Sequence, residues 1–225
     1  FLLGATSGRT TLEGEGLQHD DGHSHVLASV IPSCRAYDPA YAYEIAVIVQ
    51  DGMRRMYQDQ EDVFYYLTLI NEKTAHPAMP AGAEAGILKG MHRVREGEPG
   101  TLRVQLLGSG AILRETLAAA DLLQQDFGVA ADVWSVTSYS ELGRDGHEAE
   151  RWNRLHPLED ARRGYAETAL AGSTAPVVAA TDYMKTVPEQ IRPFMAGRRY
   201  VTLGTDGFGR SDTRQALRSF FGVDR

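Results

Sequence analysis

The chain has 225 residues, 43% hydrophobic and 24% charged, close to the averages of folded domains, which excludes a disordered polymer or a collagen-like repeat. Thirty acidic against 23 basic residues give a formal charge of −7. That balance lacks the electrostatic footprint of a non-specific nucleic-acid or anionic-membrane binder, and no apolar stretch approaches a membrane span.

The chain starts at Phe1 without an initiator methionine, and its opening residues lack the charged start and long apolar core of a signal peptide, so it reads as a piece of a larger protein. Its length suffices for one large α/β domain or two smaller ones. The single cysteine, Cys34, cannot close an intramolecular disulfide, which points to a reducing cytoplasm. Ile31-Pro32-Ser33 beside it offers no activating group, so a buried, inert thiol is expected.

In chain order, Gly4 to His25 is rich in Gly, Thr, Asp and His and reads as a long irregular loop. Asp38-Pro39 resembles a helix N-cap with proline at the first helical position, and Ala42, Ile45, Ala46, Val49, Met53 and Met56 recur at helical spacing, predicting a helix to about Tyr57. Val63 to Ile70 is a short run of β formers suited to a strand covered on both faces. From Asn71 to Gly100 prolines, glycines and charges accumulate, which marks a linker interrupted by a short helix at about Ala83 to Met91.

A second α/β unit follows. Leu102 to Leu107 is an apolar strand, Gly108-Ser109-Gly110 a turn, and Leu113, Leu117, Ala120 and Leu123 a helix stripe. Val133 to Thr137, Ala175 to Thr181 and Tyr200 to Gly204 read as strands; Tyr139 to Asn153 and Tyr183 to Phe194 read as helices, the latter disturbed by Pro188, and Ser211 can cap a last helix through Phe221. Such βαβ alternation implies a mostly parallel sheet flanked by helices, because parallel neighbours need crossover connections.

The densest polar cluster is Gly14 to His25, where His19, His23 and His25 fall within seven residues. Imidazole titrates near neutrality and donates, accepts or ligates, and glycines let a loop approach a small ligand closely. Such histidines also serve simply to satisfy loop backbone groups. A metal site is weakly signalled, since the spacing matches neither His-Glu-x-x-His nor a zinc-finger pattern, and Ser24 lacks a nucleophile elbow. Gly108-Ser109-Gly110 could cradle an anion or make a tight connection. Tyr37, Tyr41, Tyr43, Tyr65 and Tyr66 fit packing better than stacking on bases.

The run Thr6-Ser7-Gly8-Arg9-Thr10-Thr11, then Gly14-Glu15-Gly16-Leu17-Gln18-His19 and Asp21-Gly22-His23-Ser24-His25, resembles the homodimeric bacterial pyruvate dehydrogenase component. So do Tyr37 to Glu44, Glu150 to Pro157 and Leu203 to Ser211. The resemblance covers nearly the whole chain. It implies an α/β fold in which residues 1–78 are the later part of a thiamine pyrimidine-binding domain, 79–100 a linker, and 101–225 a transketolase-like C-terminal domain with a mostly parallel sheet, truncated at its end.

The resemblance further implies an oxidoreductase that decarboxylates pyruvate on thiamine diphosphate with Mg2+ and reductively acetylates the lipoyl group of dihydrolipoyl acetyltransferase, as a cytoplasmic homodimer binding neither nucleic acid nor membrane. Glu15 and His19 carry over as catalytic residues near the thiamine, with His23 and His25 as substrate-channel or loop-support residues. No Gly-Asp-Gly motif is present, so the principal diphosphate and metal ligands and the cofactor-activating glutamate are expected outside this chain, which alone is expected to be inactive. Two other readings stay open: a noncatalytic dimerisation or lipoyl-docking module, and a histidine-based metal hydrolase.

Overall fold

The computed structural model describes residues 2–6, 8–11, 19–100 and 102–225. Strand β1 (Leu2–Thr6) is followed in chain order by α1 (Ser24–Ser29), β2 (Cys34–Tyr37), α2 (Ala42–Met53) and β3 (Phe64–Leu69). These strands form a parallel sheet in the order β1-β3-β2. The central strand β3 buries Tyr65 and Leu67, as its unbroken run of β formers predicts.

The chain continues with α3 (Glu84–Lys89), β4 (Met91–Arg95), β5 (Arg103–Gly108), α4 (Leu113–Phe127), β6 (Ala130–Val136), α5 (Tyr139–Leu155), α6 (Tyr165–Leu170), β7 (Val177–Ala180), α7 (Thr186–Glu189), β8 (Tyr200–Leu203) and α8 (Arg214–Phe221). The second sheet runs β4-β6-β5-β7-β8, parallel except for the antiparallel edge strand β4. Its core joins Leu107, Trp134, Val136, Leu142 and Ile191. The fold is thus α/β with mostly parallel sheets.

Several local expectations need correction. The loop expected from Gly4 to His25 contains the end of β1 and the start of α1. Within the stretch expected as a linker, β4 pairs with β6 and belongs to the second sheet. Asp38 does not cap α2. Glu44 reaches back instead, its Oε2 accepting from the Ala40 and Tyr41 N–H groups at 2.6 and 3.0 Å, which satisfies donors that a helix start leaves open.

The inward face of α2 is accordingly centred on Glu44, Ile48 and Gly52, while Ala42 and Ala46 of the expected stripe are exposed. Thr213, not Ser211, caps α8, its hydroxyl accepting from the Ala216 N–H at 3.3 Å. The expected helix from Tyr183 to Phe194 is instead α7, with Pro188 in its first turn, and a single 3-10 turn at Arg192–Phe194 that holds Pro193, which has no N–H to continue the helix.

Buried polar contacts join the sheets. Glu44 Oε1 accepts from His92 Nε2 at 2.7 Å and from the Ser135 hydroxyl at 2.6 Å, while the Ser138 hydroxyl donates to the Ala36 carbonyl at 2.6 Å. Cys34 is 2% exposed, and burial pushes its thiol up from the ordinary range, which suits an inert core residue.

Candidate active-site loop

The strand order of the second sheet reverses at β5, and β7 lies on the opposite side of β5 from β6. In open α/β sheets the crevice beyond the strand ends at such a reversal commonly takes a ligand. Here the chain fills it with its own N-terminal segment. The Ser109 and Thr181 hydroxyls lie 2.9 Å apart across the crevice. The adjoining carboxylate of Asp182 accepts from the Thr10 N–H and from the Thr10 and Thr11 hydroxyls at 3.1, 2.7 and 2.8 Å.

Gly8 makes this approach possible. Its φ is +67° and a Cβ there would lie 2.0 Å from Asp182 Oδ2, so both the left-handed backbone and the missing side chain are required. Burial pushes the Asp182 carboxyl up to about 6, against the opposing hydrogen bonds of Thr10 and Thr11 and the charge of Arg218.

Arg9 is 1% exposed. Its Nη1 donates to the carbonyls of Thr205 and Gly207, and its Nη2 lies 3.1 Å from Nδ1 of His23. Burial lowers the guanidinium pKa, opposed by Asp21, Asp20, Asp182 and Asp206. Asp20 packs on Gly209, where a Cβ would come within 2.3 Å of Asp20 Cβ. Asp21 starts α1 by accepting from the His23 and Ser24 N–H groups, each at 3.0 Å.

The sequence-predicted histidines therefore separate by environment. His19 and His23 are exposed on the loop rim, whereas His25 is buried at 6% exposure. The His25 ring sits edge-on to Tyr183 and Tyr66, with centroids 4.6 and 5.6 Å away. Thr68 donates its only hydroxyl proton to Asp38 Oδ1 at 2.7 Å, so its lone pair accepts from His25 Nε2 at 3.0 Å. Burial lowers His25 to about 4, with Asp21 opposing. Glu15 lies outside the described residues.

The cavity that His25 lines with Asp38, Ser109, Tyr139, Tyr183 and Gln190 measures about 10 Å³, room for one water and no substrate. Gly108-Ser109-Gly110 makes a tight connection that is already filled. Gly110 has φ +47°, its N–H donates to the Asp38 carbonyl, and a Cβ on it would lie 2.4 Å from Asp38 Oδ2. Asp206 accepts from the Lys185 N–H and pairs with Lys185 Nζ at 3.0 Å.

No group of three or more His, Cys, Asp or Glu able to hold a metal occurs among the described residues. No helix of the described residues is long and apolar enough to cross a membrane. Sequence reasoning named the histidines and missed Arg9 and Asp182, whose partners lie far along the chain; the buried setting of Thr-Thr beside an arginine offers no periodic signal.

Residues 1–77 match the family model described as the pyruvate dehydrogenase E1 component middle domain, and residues 90–224 match the transketolase-like TK C-terminal domain. The chain is 59% identical over 226 residues to the pyruvate dehydrogenase E1 component of Pseudomonas aeruginosa, covering 100% of this chain and 26% of that protein. It is 56% identical over 225 residues to the same component of Escherichia coli, covering 100% of this chain and 25% of the relative. The chain thus spans about a quarter of these curated relatives. Among solved structures, transketolase from Campylobacter jejuni superposes with a TM-score of 0.66 at 17% identity, over 100% of this chain and 29% of its own, which shows a shared fold. A transketolase variant from Pichia stipitis gives 0.66 at 13% identity over 99% and 28%.

Proposed function

The chain belongs to the transketolase-like C-terminal-domain family, with a pyruvate dehydrogenase E1 middle-domain segment before it, and from that premise we propose that it is part of a subunit that decarboxylates pyruvate and reductively acetylates a lipoyl group on dihydrolipoyl acetyltransferase. The observation that carries this reading is the 59% identity across the whole chain to a pyruvate dehydrogenase E1 component. On this reading residues 1–78 are the later part of the pyrimidine-binding domain, and the C-terminal domain of a cytoplasmic homodimer includes β4, since that strand belongs to its sheet.

Thiamine diphosphate, when bound, supplies the attacking carbon and the electron sink for loss of carbon dioxide. The described residues fit the substrate side of that group and not its phosphates. Asp38 occupies the glycine turn at the start of α4, and no metal-ligating trio is present among the described residues. The diphosphate and its Mg2+ would therefore be held by chain outside these residues.

His19, exposed on the rim, would donate to the pyruvate carbonyl oxygen as negative charge develops there, and would move a proton during acetyl transfer. Glu15 would orient that imidazole. His23, also exposed, would line the approach, and His25, buried on Thr68, would support the loop from behind.

The test is pyruvate decarboxylation and lipoyl acetylation by the full-length parent carrying His19→Ala or Glu15→Gln. Losses on the order of a hundredfold in at least one step are expected for a proton-transferring group. Rates near wild type in both steps for both variants would remove these residues from the mechanism.

A further inference from the structure

We propose that Arg9 is a positioning residue: its guanidinium lies over the His23 ring, and it clamps the His19–His23 segment onto the turn at 205–207. The inference rests on the reading that this loop faces the reaction.

A guanidinium carries only donors. Its Nη2 lies 3.1 Å from Nδ1 and 3.5 Å from Nε2 of His23, nearly equidistant from the two ring nitrogens, which places it over the face of the imidazole and not on either in-plane lone pair.

Arg9 itself has little freedom. Its Nη1 is committed to two carbonyls, and its side chain is 1% exposed. Gly22 lies flat on the guanidinium, where a Cβ would come within 2.2 Å of Nε and 2.3 Å of Cζ. The adjacent segment carries His19, so one buried cation ties the loop to both ends of the chain. These commitments also exclude Arg9 as a clamp for a substrate carboxylate, which would need free, accessible donors.

The experiment is a double-mutant cycle in the full-length parent holoenzyme with R9Q, H23Q and R9Q/H23Q, reading kcat and KM for pyruvate decarboxylation with an artificial electron acceptor, together with cofactor affinity. Misplacing a reacting group by a fraction of an ångström costs on the order of tenfold or more. R9Q and H23Q should each lower kcat about tenfold, leave cofactor affinity within about threefold, and combine to no more than about the worse single loss. Should R9Q fail to fold, R9K replaces it in the same cycle, because lysine keeps a donor and loses the fork.

Single effects that multiply in the double variant overturn the proposal, as does an R9Q enzyme with lowered thermal stability and unchanged kcat. A wild-type parent unable to decarboxylate pyruvate overturns the functional reading beneath it, a distinct outcome.

Discussion

His25 and Asp182 titrate in opposite senses, and removing either should expose the other. His25 is lowered by burial from 6.5 to about 4, so its neutral ring contributes stability that is fully present above 6.5 and lost as pH falls toward 4. Asp182 is raised by burial from 3.8 to about 6, so its contribution is fully present below 3.8 and lost as pH rises through 6. Each interval corresponds to about 3 kcal/mol in total, or about 1.4 kcal/mol per pH unit where only that group differs between folded and unfolded chains.

Between about pH 4.5 and 6 the two slopes nearly cancel in the wild type. Asp182→Asn should leave the His25 slope alone, so stability rises by about 2 kcal/mol across that window, and His25→Gln should fall by a similar amount. Urea denaturation at four pH values measures both. The lower limit matters because Glu72, Asp132, Glu189 and Asp206 are all held below their ordinary values, and their stabilisation is lost at lower pH. Slopes of the same sign in both variants, or a wild-type slope unchanged by either, would refute the assignment.

Other substitutions test the remaining joints. Gly22→Ala should act through Arg9: the added methyl would meet Nε and Cζ within 2.3 Å, costing about 1–3 kcal/mol in thermal or urea denaturation. Glu44→Gln places an amide where two backbone donors, His92 and Ser135 converge on a carboxylate that is 0% exposed. One buried donor then faces another, and a loss of about 2–3 kcal/mol is expected by the same measurement. Thr213→Ala removes the α8 cap and should cost about 1 kcal/mol, read as faster hydrogen exchange in Arg214–Phe221.

What was legible in the sequence was what local periodicity controls. The runs at Val63 to Ile70 and Leu102 to Leu107 announced β3 and β5 because both lie inside parallel sheets and need apolar residues on two faces. Four-residue β2 and edge strand β4 passed unnoticed, being short and polar enough to resemble linker. The helix start at α2 was misplaced because Asp38 had a partner that spacing could not supply: its Oδ1 accepts from the Thr68 hydroxyl, and its carboxylate packs on Gly110.

The histidine cluster shows the same division at the site. Its residue types announced chemistry, but only tertiary packing decides that His25 turns inward onto Thr68 and Tyr183 while His23 turns outward to meet Arg9. Arg9 carried no signal of its own beyond the run it belongs to, because its acceptors are carbonyls of Thr205 and Gly207, and any residue type can furnish a carbonyl. A buried cation held by backbone oxygens is therefore invisible to motif reading. Its signature is the pair of glycines around it, since Gly8 and Gly22 are small where Asp182 and Arg9 leave no room for a Cβ.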